Sequence, residues 1–494
     1  MNTSVTAKGF TRYRTNNTMP GKMRIQQTII ALFVTSLFLL LPQHKGVLAS
    51  STFKLQKGNT LIYGHNLNEG DIGVPGLVFI NKRGMFKTGR TWSEIITRGR
   101  VNPSSHTWIS RYGSVTFNNF GKDFPDGGMN EAGLFIWEAN EEADYPKNDS
   151  LPKLNQMNWM QYILDNYSTT EEAIRSASEF EIDGWSWHFF VGDAGGNTAA
   201  IAFLNGGVVV HSGDEMPVPA LFNAPYDREL ELLKYFRGFG GEYQPDETDP
   251  NVPRFVRTAV MIDNYQKEDD PIDYGFYMLK TLRVFDDPEW SILFDAENRM
   301  VYFRTRMNPE RKTLVMDEID FSNNEPAQVM NIATAFSGNI LSMFVPYSKS
   351  IMQDFIRFEL LPILPTDFIT HGDLSPKAFT ERIVNHTDSY TDSTNHFFKG
   401  TWESIRTGEE NELHFLIEFE VEGNAVKAVI SQDGSDEHYK VDNLRMFGNQ
   451  FCFTFQTKSG KILEVKGTIR DDEMRVNLLG IEKSFGDYSL KRTH

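Results

Sequence analysis

The chain has 494 residues, 40% of them hydrophobic and 13% aromatic, too long for one ordinary domain and rich enough for two folded cores. Its formal charge is −17, and residues 1–49 hold six Lys or Arg and no Asp or Glu, so the remainder carries −23. A balance that acidic argues against nucleic acid or an anionic membrane surface as a partner.

The chain opens with a leader pattern. Basic residues (Lys22, Arg24) precede an apolar run at 28–41, followed by the small-residue site Val47-Leu48-Ala49. The run is about 14 residues, short for a membrane span and ordinary for a signal sequence. Residues 1–49 therefore read as a signal peptide, with Met23 as an alternative start that gives a compact basic region. The expectation is export to a bacterial periplasm or beyond, with no membrane attachment once the leader is removed. A single cysteine, Cys452, excludes an intramolecular disulfide and reads as a small buried hydrophobe. Cleavage after Ala49 makes Ser50 the first residue. Its α-amine then titrates near pH ~8 and can act as base toward its own hydroxyl. The bland alternative is that serine is simply a common residue after a cleavage site.

Residues 51–56 and 60–66 read as strands joined by the turn residues Gly58-Asn59, a pairing that lays residues 65–68 opposite Ser50. Further strands are expected at 77–81, 114–118, 134–138, 188–192, 198–203 and 208–211, and helices at 157–166, 170–178, 227–236 and 255–265. Strands and helices come in blocks rather than in strict alternation, which favours an α+β fold built on antiparallel sheets. Residues 331–395 read as a mixed, partly helical connector; the aromatic-rich stretch 340–364 within it reads first as core packing, with a helix pair or a lid as the alternatives. Over 396–494 short segments alternate with a period of two, as in Leu413, Phe415, Ile417, Phe419 and Val421, and predict a small all-β barrel or sandwich. No catalytic constellation is visible in that last region.

Several signatures are missing: no H-E-x-x-H, no phosphate-binding loop, no nucleophile elbow. The eleven histidines are scattered without ligand spacing, so neither metal nor cofactor is expected. What remains is a series of short motifs in order: Ser50-Ser51-Thr52-Phe53, Gly64-His65-Asn66-Leu67-Asn68, Gly128 to Leu134, Phe222-Asn223-Ala224-Pro225, and Arg254 to Arg257.

Together they resemble the linear-amide C–N hydrolases, the choloylglycine hydrolase and penicillin V acylase family of N-terminal nucleophile enzymes, over roughly residues 50–320. The resemblance implies an αββα sandwich at 50–330 and a small acyl-amide as substrate; a homo-oligomer is compatible with it. It implies roles for Ser50 as nucleophile, Asn140 and Asn223 as oxyanion donors, His65 and Asn68 beside the amine, and Arg257, with Arg254 one turn away, stabilising the site. Three positions depart from the family pattern. Serine stands for its usual cysteine, Asn68 for its aspartate, and His65 for the arginine of the bile-salt and penicillin branch. A non-catalytic relative that binds acylated ligands is therefore the rival reading. An unrelated exported adhesion or structural protein is a third, which leaves the ordered motifs unexplained.

Overall fold

A computed structural model describes residues 49–493 except 69–73, 98–105, 267, 285–288, 364–374, 376, 379, 385–399, 406–413, 423–424, 433–437, 448–449, 471–472 and 481–483. The expected signal sequence, residues 1–49, lies outside these but for Ala49.

The chain enters as a hairpin. Strand β1 (Ala49–Lys57) pairs antiparallel with β2 (Thr60–Asn68), placing Ser50 opposite Leu67, Ala49 opposite Asn68 and Thr52 opposite His65. Gly58 supplies the positive φ (61°) that a two-residue hairpin turn requires, and this fixes the register. The hairpin lies inside a seven-stranded sheet. Ala220–Leu221 flanks β1; Trp290–Asp295, Met300–Thr305, Lys312–Val315 and Gly338–Asn339 follow β2 outward. A second sheet has nine strands, with Trp187–Gly192, Phe135–Asn140 and Gly127–Asn130 near its middle.

The faces of β1 and β2 are legible from alternation. Ser50, Thr52, His65 and Tyr63 look toward the nine-stranded sheet, where Tyr63 stacks on Phe135 and His65 on Trp137. Ser51, Asn66 and Asn68 look the other way, toward helices Arg254–Asn264 and Pro271–Thr281; Asn66 Nδ2 donates to the Leu279 carbonyl. Helices Gln156–Asn166 and Thr170–Ser176 share a hydrophobic core with residues of the nine-stranded sheet, including Ile136, Phe189 and Ile201. The layers are therefore helix, sheet, sheet, helix, as the resemblance implied. Gly64 has a packing reason: a Cβ there would sit 2.4 Å from the Phe53 ring packed across it.

Within the expected connector, two short segments join the sheets. Gly338–Asn339 joins the edge of the first sheet and Val345–Pro346 the edge of the second, where a proline costs no ladder bond. The chain then continues as helix Lys349–Phe355. Between Gly400 and Arg492 eight strands close into an up-and-down barrel, settling barrel against sandwich. Its interior is filled by Trp402, Phe415, Ile417, Phe419, Phe453 and Val465 among others. Cys452 points outward from that core. It is only half-buried, with Sγ 3.3 Å from Glu464 Oε1, because the barrel alternation sends its neighbours Phe451 and Phe453 inward instead.

Candidate active site

Ser50 is fully buried near the start of β1, and its Oγ has no hydrogen-bond partner among the described residues. Its backbone N–H donates to Asn223 Oδ1 at 2.8 Å. Asn223 reaches it because Ala220–Leu221 pairs with Phe53 and Thr52, bringing the following residues alongside the head of β1. The amide of Asn223 is shared: Oδ1 also accepts from Arg254 Nη2 at 3.2 Å, and Nδ2 donates to the Asn140 carbonyl at 3.4 Å.

Of the two arginines, Arg254 is the one that meets Ser50. Its Nη1 donates to the Ser50 carbonyl at 3.0 Å and to Ser51 Oγ at 2.9 Å, and the guanidinium lies over the Phe222 ring. Arg257 goes elsewhere: its Nη1 donates to the Thr281 carbonyl at 2.7 Å, capping the end of helix Pro271–Thr281. One turn of helix separates them, and it is enough to send one to the strand head and the other to a helix terminus. Burial lowers Arg254 to about 10, with Glu229 acting against that, so it stays cationic at neutral pH.

His65 is also fully buried. Its Nδ1 is 2.8 Å from Thr52 Oγ1, its ring stacks on Trp137 at 4.2 Å, and its Nε2 has no partner among the described residues. Burial pushes its pKa well below the ordinary value, so the imidazole is neutral. Both amide atoms of Asn68 are buried and unpartnered too. By register Asn68 stands opposite Ala49, the residue whose removal would free the Ser50 amine. Asn140 lies beside Asn223. Its side-chain oxygen accepts from Trp187 Nε1 at 3.0 Å, and the group that reaches Asn223 is its main-chain carbonyl.

Three further buried residues lie near the site; Glu141 and Glu229 escaped sequence reading, and His188 reads from sequence as a packing residue of its strand. His188 Nε2 is 2.6 Å from the Phe222 carbonyl, and its Nδ1 is 3.0 Å from Glu141 Oε2. Glu229, on helix Tyr226–Leu233, is pushed up to about 7 by burial, against the pull of Arg254, Arg228 and His188. The signal available was weak: a charged residue directly after Asn140, and a histidine inside an otherwise apolar strand. Among the described residues no group of three His, Cys, Asp or Glu is placed to hold a metal ion, and no helix is long and apolar enough to cross a membrane.

Chemically, the arrangement sets a hydroxyl, the nitrogen of the same residue, two amide side chains and one buried cation around a single strand head. No family model matches the chain. Penicillin V acylase of Pectobacterium atrosepticum is 25% identical over 307 residues, spanning 51% of this chain and 80% of that protein. Among solved structures, penicillin V acylase from Agrobacterium tumefaciens has the same fold, with a TM-score of 0.53 at 23% identity over 60% of this chain and 98% of its own. A variant of conjugated bile acid hydrolase from Clostridium perfringens aligns at 17% identity with a TM-score of 0.45, over 57% of this chain and 96% of its own.

Proposed function

We propose that the chain is a member of the choloylglycine hydrolase and penicillin V acylase family of N-terminal nucleophile hydrolases, an exported hydrolase of linear, non-peptide amides with Ser50 as nucleophile; its likeness to penicillin V acylases supports this reading. The observation that carries this reading is the contact of the Ser50 nitrogen with Asn223 Oδ1 beside an unpartnered, buried Ser50 Oγ.

Removal of the leader turns that nitrogen into an amine. The amine takes the proton of Oγ as the oxygen attacks the amide carbonyl, and the tetrahedral oxyanion accepts from the NH2 of Asn223. The proton passes to the leaving amine, an ester forms on Ser50, and water hydrolyses it through the same amine. A free amine is a base only when neutral. The buried Arg254 guanidinium, bonded to the Ser50 carbonyl, disfavours a second positive charge there, and the uncharged Asn68 adds no carboxylate to stabilise one. The two departures thus work together. A hydroxyl needs a competent base more than a thiol does, and replacing aspartate by Asn68 keeps the amine free to be one. His65, neutral and stacked, lines the same face as the hydroxyl without adding charge. Arg257 acts through the helix end it caps.

The uncharged Asn68 and the serine also favour a second reading, a relative that binds acyl-amides without cleaving them. N-terminal sequencing of the exported protein comes first. A chain starting at Ser50 should then cleave a member of a panel of phenoxyacetyl, bile-acid and N-acyl homoserine lactone amides and lose that turnover in Ser50→Ala. Binding without turnover, unchanged by Ser50→Ala, would establish the binding protein instead.

A further inference from the structure

Two consecutive residues at the start of one strand reach both segments that carry the Asn140–Asn223 contact beside Ser50. Trp187 Nε1 holds the side chain of Asn140, and His188 Nε2 lies against the Phe222 carbonyl. A carbonyl only accepts, so Nε2 carries a proton. On its other side the ring meets Glu141 Oε2 at Nδ1, with both side chains 1% exposed. By register His188 pairs with Ala139, two residues from Trp137, and so projects into the space between the sheets, as Ser50 does.

We infer that Glu141 and His188 are positioning residues for the nucleophile site: Glu141 orients the imidazole, and His188 Nε2–H anchors the Phe222 carbonyl, so that the adjoining Asn223 amide keeps its oxygen on the Ser50 nitrogen and its NH2 for the reacting carbonyl. The inference rests on the acyl-transfer reading above. Its need comes from the local backbone. Ala220–Leu221 is a two-residue strand, the chain leaves it at Phe222, and Pro225 begins the turn into the next helix. A segment that short cannot hold an amide in place by ladder bonds alone. A buried histidine and carboxylate that merely fastened the core would have no reason to end on the carbonyl directly before Asn223.

Glu141 and Glu229 face the ring, and Arg228 and Arg254 act in turn on Glu229. Glu141 follows the strand Phe135–Asn140, Arg228 and Glu229 come from helix Tyr226–Leu233, and Arg254 starts the next helix. A pH profile of kcat therefore reports on this cluster as a unit.

The test uses the mature chain beginning at Ser50, with His188→Ala, His188→Gln and Glu141→Gln beside Ser50→Ala. On the amide that the parent cleaves best, His188→Ala should lower kcat about 10²-fold, the scale of a displaced reacting group, with KM changed by less than about threefold. His188→Gln, which keeps a donor, should recover part of the loss, and Glu141→Gln should shift the pH profile. A crystal structure of His188→Ala should find Asn223 moved off the Ser50 nitrogen. A kcat within about twofold of the parent overturns the inference, as does an Asn223 that has not moved. If the parent cleaves nothing, the acyl-transfer reading has failed, and the crystal structure alone still decides whether His188 holds Asn223.

Discussion

Two buried polar clusters in this molecule are built on opposite rules. In one, Lys87 Nζ lies 3.0 Å from Asp123 Oδ1 and 2.8 Å from Asp165 Oδ2, while Lys122 Nζ lies 2.6 Å from Asp123 Oδ2. Trp108 and Gln161 add further donors to Asp165. Burial alone would raise the Asp123 carboxyl, yet the two lysines hold it at about 2. Every charge there is answered by another, across a short strand, a loop and the end of a helix. In the other cluster Ser50 Oγ, His65 Nε2, Trp137 Nε1 and both amide atoms of Asn68 are buried with no partner among the described residues. Orphaned polar atoms cost free energy wherever they are buried. The difference teaches that burial of polarity is not itself a mark of function. Matched charges fasten a fold, whereas the unmatched atoms around the head of the first hairpin suit the place proposed for chemistry.

The sharpest way to break this comparison is at Ser50. In the mature chain Ser50→Ala should reduce kcat by at least about 10⁴-fold while Tm moves by less than about 3 °C. A large fall in Tm with activity retained would make the serine a fastener after all. Lys87→Met should do the reverse. Leaving Asp165 buried without its cation, and Asp123 with Lys122 alone, should cost about 3–5 kcal/mol in urea unfolding, with kcat of the folded protein unchanged. A variant as stable as the parent would show that the matched cluster fastens nothing. Asn223→Ala removes a donor from the site, and kcat should fall about 10²–10³-fold, with KM much less affected. A uniform rise in KM would assign Asn223 to binding instead.

The smallest effect concerns Glu229, which lies beside both the cation of the site and His188. Its carboxyl is raised from the ordinary 4.5 to about 7 by burial. The folded chain therefore holds a proton that the unfolded chain has released, and stability falls as pH rises from about 4.5 to about 7 and is level above that. Glu229→Gln should shrink the stability difference between pH 5 and pH 8 by about 2 kcal/mol. Parallel urea curves for parent and variant at the two pH values would show that the carboxyl does not titrate as described.

How much of this was legible in the residues varied with the kind of information needed. The hairpin register followed from Gly58-Asn59 because a two-residue turn leaves one way to pair. The all-β region followed from strict alternation, which suits a barrel and a sandwich alike, so the closure of the sheet was not legible. Helix Pro271–Thr281 was missed although its start signal was present: Asp270 caps the first turn, with Pro271 just inside. Arg254 and Arg257 could not be separated because residues three apart share a helix face, and only the packed neighbours decide which one reaches the strand. Glu141 and Glu229, and the partners of His188, were hidden for a related reason. A period-two pattern says which side a residue faces, but not what stands across from it on another sheet.

The contacts of Ser50 have a consequence for when the protein becomes competent. Thr52 and His65 are separated by 13 residues, so their pairing belongs to a hairpin that closes early. The Ser50 nitrogen and Asn223 are separated by 173 residues, and Arg254 and the Ser50 carbonyl by 204. Contacts that distant form late, because a long loop must be closed before they reward it. A growing or half-folded chain thus carries its serine on a finished strand with neither the amide nor the cation beside it. On the proposed reading the serine is placed first and its partners arrive last, so that only a chain complete beyond residue 254 assembles the whole site.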